Sequence, residues 1–377
     1  MAKKKSIKKG WNYKLILAIE VVILITLIIL YGVWVMNHKM DELDYNNIEE
    51  EEIDINEGLD ENAMKGYTNI VVFGGDSRSG SVDQGAHSDV IIIVNINNDT
   101  KEVRMVSVYR DTFLEIAKEN PNNQKLTHAH YIGGAKMAIN TLNRNLDLNI
   151  KDYVTVNFES VIKAVDLLGG LEITVKKGEL KSLNRSIREE NKLYGTNVEQ
   201  ISAPGTYLMN GTQVLAYTRI RSTGQGDITR TGRQREVIGL MVKKVKSAGM
   251  STLNKLIDEV FPMISTSISK SEIISLATGV FNYELTDTVG FPFSYGAPNL
   301  GSKGSILAPA DLLNNVTALH KYLFNEQDYV PSENVKRISA SVQAESGVGV
   351  KEIELFKDDS TEAAGSADTQ GADAQTQ

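Results

Sequence analysis

Five of the twelve arginines in this sequence fall between positions 219 and 235. They stand in the stretch Tyr217-Thr-Arg219-Ile-Arg221-Ser-Thr-Gly-Gln-Gly-Asp227-Ile-Thr-Arg230-Thr-Gly-Arg233-Gln234-Arg235. Guanidinium is a rigid fork of donors that stays charged and matches phosphate oxygens two at a time. Arg219 and Arg221, at i and i+2, would point the same way on extended backbone. Arg230, Arg233 and Gln234 have helical spacing, so one helix face would carry them. Gly224 and Gly226 between the two sets let the backbone turn sharply and approach a ligand. The stretch reads as a polyphosphate clamp; the plainer alternative is a solvated basic face paired to surface carboxylates.

Two acids complement it. Asp76 follows the apolar run Ile70-Val-Val-Phe73 and two glycines, and Asp89 opens the run Val90-Ile-Ile-Ile-Val94. Arg110 follows Val103-Arg-Met-Val-Ser-Val108, and Lys125 precedes another glycine pair. Carboxylates beside such cations suit a diphosphate and a hard divalent cation, Mg²⁺ or Mn²⁺, which prefers oxygen ligands. His128 and His130 alternate as metal ligands on a strand would, but with no evident third ligand a structural role is the stronger reading. No phosphate-loop motif and no nucleophile-elbow motif occurs. With no cysteine in the chain, thiolate metal sites, a Cys nucleophile and disulfides are excluded.

The elements that must position these groups alternate. Strands are expected around residues 70–73, 89–94 and 103–108, the last two joined as a hairpin through Asn97-Asn-Asp-Thr100. In an antiparallel pair the start of one strand neighbours the end of the next, which brings Asp89 towards Arg110. A helix over 135–146, a strand over 153–158, a helix over 158–168 stopped at Gly169-Gly170 and a strand over 171–175 follow. Residues 176–201 read as a polar surface excursion and 207–211 as a turn. Helices are expected over 212–220, 230–246, 253–261, 271–281 and 310–324. The fold class is α/β, with a mixed central sheet flanked by helices.

The ends differ from the middle. Residues 1–14 carry a basic cluster, and 15–36 are apolar apart from Glu20, long enough at about 1.5 Å per residue to cross a bilayer core. No small-residue cleavage site follows, so the run reads as an uncleaved signal anchor, with the N-terminus cytoplasmic and the rest outside. Residues 37–66 read as an acidic, self-repelling linker, 67–344 as the catalytic domain and 345–377 as a disordered low-complexity tail. The net charge of −8 and a sequence pI of about 5.4 argue against nucleic acid as a partner.

In its ordered motifs the chain resembles the LytR–CpsA–Psr proteins. The likeness rests on Asn69-Ile-Val-Val-Phe-Gly-Gly-Asp76-Ser-Arg78, Ser88-Asp89, Val108-Tyr-Arg110-Asp111-Thr112, Lys125-Leu-Thr-His-Ala and Gly133-Gly134. It continues through Asn157-Phe158, Gly169-Gly170, Leu208-Met-Asn-Gly-Thr-Gln213, Ala216-Tyr-Thr-Arg219-Ile-Arg221 and Asp227 with Arg230-Thr-Gly-Arg233-Gln234. The resemblance implies a phosphotransferase on the outer face of a Gram-positive cell membrane. Such an enzyme moves a glycopolymer (teichoic acid, capsule or a similar wall polymer) from a polyprenyl-pyrophosphate carrier to peptidoglycan, through a phosphodiester. It implies Asp76 and Asp89 as the Mg²⁺ carboxylates and Arg110, Arg219 and Arg221 as the pyrophosphate clamp, with Lys125, Arg230 and Gln234 in support. Asp111 would orient Arg110 or serve as a base. The polyprenyl tail would lie in an apolar tunnel between sheet and helices, to which residues 91–94 would contribute. His87, with Asp111, is counted among the pyrophosphate-binding residues, and it is a departure: the family usually has Arg at this place, two residues before the second Asp. Pyrophosphate hydrolysis and passive binding of an anionic polymer are the competing readings.

Overall fold

The computed structural model describes residues 44–59, 61–75, 87–221 and 226–350. Its strands are β1 (Asp44–Tyr45), β2 (Tyr67–Gly75), β3 (Ser88–Asn97), β4 (Glu102–Val108), β5 (Phe113–Ile116), β6 (Asn122–Lys125) and β7 (Asp152–Asn157). Then come β8 (Leu171–Val175), β9 (Gly205–Met209), β10 (Ile264–Thr266), β11 (Glu284–Phe291), β12 (Tyr295–Gly296) and β13 (Ala308–Pro309). The helices are α1 (Glu61–Met64), α2 (Leu126–Leu146), α3 (Phe158–Leu167), α4 (Leu180–Tyr194) and α5 (Gly211–Thr218). They continue with α6 (Asp227–Ser247), α7 (Met250–Val260), α8 (Lys270–Gly279), α9 (Leu312–Phe324) and α10 (Glu333–Ser346).

Seven strands form one mixed sheet in the order β1-β10-β7-β2-β3-β4-β11. β2 and β3 are antiparallel, as are β3 and β4, while β2 runs parallel to β7 and β4 parallel to β11. β3 is apolar without alternation because both faces of the sheet are covered. Val71, Phe73, Ile91, Ile93, Val106 and Val108 face one way, into a core completed by α2, α9 and α10. Burying one such side chain contributes roughly 1.5–3 kcal/mol. Val72, Ile92, Val94 and Met105 face the other way, towards α6. A second core, from β8, β9, α4, α5 and α6, lies beside that face. The β3–β4 turn closes as the sequence predicts: Asn97 Oδ1 accepts from the backbone of Asp99 and Thr100, both at 2.9 Å.

Several expectations need correction. Residues 176–201 contain α4, which buries Leu183 and Ile187, and 205–209 form a strand rather than a turn. α2 begins at Leu126, kinks at Gly133 and Gly134, and carries His128 and His130, so those two are helical, not alternating on a strand. His130 is buried, its ring 5.0 Å from that of Phe73. The acidic segment is not a free spacer from Asp44 onward, since β1 pairs with β10 and Glu52 and Asp54 bond Lys136 and Lys118, each at 2.7 Å. The tail boundary at 345 falls inside α10, and Val348 still packs on the first core. Among the described residues no helix is long and apolar enough to cross a membrane; the apolar run at 15–36 lies outside them.

Candidate active site

Strand geometry places the first acid. Gly74 pairs with Val90, but Gly75 pairs with Ser88, leaving Asp89 as the extra residue of a β-bulge. Bulges re-aim a side chain at a sheet's rim. The close pairing depends on glycine, because a Cβ on Gly74 would lie 2.9 Å from the Val90 Cβ. Arg110 emerges just past the end of β4, opposite that bulge, and Arg110 Nη1 donates to Asp89 Oδ1. The proximity expected from hairpin geometry is therefore present.

Further charges converge there. Arg221 Nη2 lies 3.7 Å from Asp89 Oδ2, and Arg230 Nη2 donates to the Asp89 carbonyl at 3.3 Å. Asp227, in the first turn of α6, sits 2.8 Å from Arg230 and 3.9 Å from both Arg110 Nε and Arg221 Nε. Lys125 Nζ is 3.1 Å from Asp111, whose other oxygen is 3.7 Å from Arg110 Nε. Three guanidinium groups and a lysine thus surround Asp89, Asp111 and Asp227. Burial alone would raise the Asp89 carboxyl, but Arg110, Arg230 and Arg221 outweigh it and hold the group below the ordinary carboxylate range. Burial disfavours charge on Arg110 as well, yet Asp89, Asp111 and Asp227 leave its affinity for the proton above the usual value. Arg230 goes the other way: burial, with Arg221 and Arg110 close by, outweighs Asp227 and Asp89. Arg230 Nε, Arg110 Nε, Asp227 Oδ2 and Gln234 Oε1 are buried and meet no hydrogen-bond partner among the described residues. Buried polar atoms of this kind are costly unless a ligand, ion or water completes them.

Arg219 follows a separate route. Asn210 caps α5 in a reciprocal box with Gln213, and Gly211 packs so tightly on α3 that a Cβ would lie 2.2 Å from the Ile162 carbonyl oxygen. That helix delivers Arg219 to Glu190 of α4 at 2.9 Å and over the Phe158 ring at 5.3 Å. Arg219 and Arg221 therefore do not share a partner, as i, i+2 spacing on extended backbone suggests; the end of α5 splays them. Arg233 is not in the cluster either. It is buried, bonds Glu179 through Nε and Nη2 at 3.1 and 2.8 Å, and donates to the Ile220 carbonyl at 3.0 Å. His87 turns to other neighbours: its ring stacks on Tyr131 at 4.6 Å, and Nδ1 lies 3.4 Å from Thr127 Oγ1. Asp76 lies outside the described residues.

The cluster closes one end of a cavity of about 690 Å³. Asp89, Arg219, Arg221, Arg230 and Gln234 line its polar end. Val237, Ile238, Met241, Val242 and Val245 continue it along one stripe of α6, facing Val72, Ile92, Val94 and Met105 of the sheet. From Arg230 to Val245 the helix rises about 22 Å at 1.5 Å per residue. Of the apolar run on β3, Ile92 and Val94 line the cavity, whereas Ile91 and Ile93 face the opposite core. The cavity thus joins a charged end to a long, largely apolar trough.

The sequence model of the LytR_cpsA_psr family matches residues 30–289. The chain belongs to that family. It is 35% identical over 192 residues to biofilm regulatory protein A of Streptococcus mutans, covering 49% of this chain and 45% of that one. It is 30% identical over 203 residues to the polyisoprenyl-teichoic acid–peptidoglycan teichoic acid transferase TagU of Halalkalibacterium halodurans, covering 53% and 60%. The chain thus spans about half the length of these LytR_cpsA_psr relatives. The crystal structure of protein gbs0355 from Streptococcus agalactiae superposes with a TM-score of 0.59 at 28% identity, over 71% of this chain and 90% of that one.

Asp227 and Glu190 are the site residues that the sequence leaves unassigned. Asp227 stands in the quoted motif, at the start of a helix, where a carboxylate is favoured by the helix dipole. Leu180, Leu183 and Ile187 are spaced for one face of a helix, a face that also carries Glu190, but the charge of the stretch masks that signal. For a hard cation the donors fit in kind. Asp89 and Asp227 offer oxygen only, and Asp227 Oδ2 is buried without a partner. No group of three or more His, Cys, Asp or Glu that could hold a metal occurs among the described residues.

Proposed function

We propose that the chain transfers a glycopolymer from a polyprenyl-pyrophosphate carrier to peptidoglycan; its TagU relative is named a polyisoprenyl-teichoic acid–peptidoglycan teichoic acid transferase. The observation that carries the reading is the largely apolar cavity of about 690 Å³ whose charged end is lined by Asp89, Arg221 and Arg230, with Arg110 bonded to Asp89 behind them. A long hydrocarbon tail with a diphosphate head has the same two-part character. In this reading a hydroxyl of the peptidoglycan acceptor attacks the phosphorus that bears the glycan. The bridging P–O bond breaks, polyprenyl phosphate leaves with the bond's electrons, and the hydroxyl's proton passes to the departing phosphate or to water. Arg221, Arg230 and Arg110 neutralise the charge that builds on the phosphate oxygens. Glu190 holds Arg219 at the cavity's rim. Lys125 and Arg110 occupy Asp111, which supports an orienting rather than a proton-accepting role for that carboxylate. Mg²⁺ or Mn²⁺, held by Asp89 with Asp76, would supply further charge neutralisation at the diphosphate. The run at 15–36 anchors the chain in the cell membrane with its catalytic domain outside.

The test uses the full chain in detergent, with lipid-linked labelled glycan, Mg²⁺ and uncrosslinked peptidoglycan. Acceptor-dependent movement of label, lost in Asp89→Ala and in Arg221→Ala, is the expected result. Release of lipid phosphate without labelled acceptor would replace transfer by hydrolysis. Tight lipid binding with no turnover would reduce the protein to a binder.

A further inference from the structure

The cluster around Asp89 sits on the rim of the sheet, with the apolar cavity below it on one face. Across that rim, over the other face, α2 begins. Its first turns carry His128 and Tyr131, and their rings stack with that of His87 into one aromatic shelf. Tyr131 lies 4.6 Å from His87 at 13° and 5.9 Å from His128 at 12°. His87 is exposed, and Tyr131 and its neighbour Ile132 are 43% and 47% exposed. Protein core does not account for a three-ring stack that stays open to solvent.

The shelf is fixed to the charged cluster by short bonds. Thr127 Oγ1 donates to the Ser88 carbonyl at 3.0 Å and lies 3.4 Å from His87 Nδ1. The Thr127 backbone N–H donates to the Arg110 carbonyl at 3.0 Å. The shelf therefore shares its backbone supports with Asp89 and Arg110. A ligand with its tail in the cavity and its diphosphate on the guanidinium groups would present its third part, the saccharide, at this edge.

We propose that His87, Tyr131 and His128 form a saccharide subsite for the first sugars attached to the pyrophosphate. The proposal rests on the function given above and adds where the glycan is read. Sugar rings present flat C–H faces that pack on aromatic rings, while imidazole nitrogens and the tyrosine hydroxyl bond sugar hydroxyls. His87 then reads the saccharide rather than the phosphate, an assignment its ring contacts carry.

The experiment compares two ligands with the same polyprenyl diphosphate, one bare and one bearing an N-acetylhexosamine disaccharide. Binding to the full chain in detergent is measured for wild type, Tyr131→Ala, Tyr131→Trp and His128→Leu. Wild type should bind the disaccharide ligand about tenfold more tightly than the bare one, a difference of roughly 1.4 kcal/mol. Tyr131→Ala and His128→Leu should lose that preference while binding the bare lipid as wild type does. Tyr131→Trp should keep it, with indole fluorescence responding only to the sugar-bearing ligand. Equal loss for both ligands, no loss for either, or a defect confined to the peptidoglycan acceptor's KM would overturn the subsite and leave lipid binding standing. Failure of wild type to bind even the bare lipid would overturn the functional reading along with it.

Discussion

Arg219, Arg221 and Arg233 are chemically identical and close in sequence, yet the structure gives them three different environments. Arg233 is buried and joined to Glu179, so it fastens α6 to the segment before α4. Removing one partner of a buried pair strands the other charge, so Arg233→Ala should cost about 3–5 kcal/mol of stability. Thermal unfolding should register that loss, while Arg221→Ala, a half-exposed change, should barely move the transition and instead remove activity. Glu190 is the carboxylate that holds Arg219. Glu190→Ala should lower kcat/KM about tenfold, since it releases Arg219, a partly exposed cation, from its carboxylate. Glu190→Gln keeps an acceptor and should recover part of that loss. The identity of Arg110, Arg221, Arg230 and Asp89 as a group was legible from residue types beside strand ends and glycines. The separation of Arg233 was not, because helical spacing alone does not say which partner a helix face meets. Glu190 stayed hidden inside a stretch whose charge density reads as surface, although its apolar residues keep a helical period.

Elements explain why those residues meet. β3 supplies Asp89 through a bulge, β4 aims Arg110, and α6 carries Arg230 and Gln234 at one end and an apolar stripe at the other. The hairpin and α6 follow from apolar runs, turn residues and helical period, all local signals. The two-stranded pairing of β8 with β9 and the placement of β11 beside β4 are long-range, and no local pattern encodes them. α6 joins the charged end of the cavity and its apolar stripe in one helix. Ile238→Trp should fill the trough beside Ile92 without touching the guanidinium groups. Affinity for a long-chain polyprenyl diphosphate should fall about tenfold or more while that for a water-soluble short-chain diphosphate holds, a split readable by calorimetry. Equal losses for both ligands would mean that the trough does not hold the tail.

At the scale of the whole molecule, the segment before β2 and the last helix close the domain together. Glu115 in β5 accepts from Arg144 Nη2 of α2 and from Arg337 of α10, each at 2.7 Å. Burial would raise the Glu115 carboxyl, but Arg337 and Arg144 outweigh it and hold the group below the ordinary range. A depressed folded-state value stabilises above the unfolded value, near 4.3, and that stability is lost as pH falls through the folded value. Stability should therefore decline on acidification below about pH 4.3, with Glu115 among the causes. Glu115→Gln should be less stable at pH 7 and show a shallower acid decline, which urea unfolding across pH 3–7 would test.

In the proposed function the guanidinium cluster reads a diphosphate at the charged end of the cavity. The most direct measurement is the affinity of the full chain for polyprenyl diphosphate against polyprenyl monophosphate with the same tail, in wild type and in Arg221→Ala. Wild type should prefer the diphosphate by about tenfold or more, and the preference should collapse in the variant. Equal affinity for the two lipids in wild type, or a preference untouched by Arg221→Ala, would contradict it.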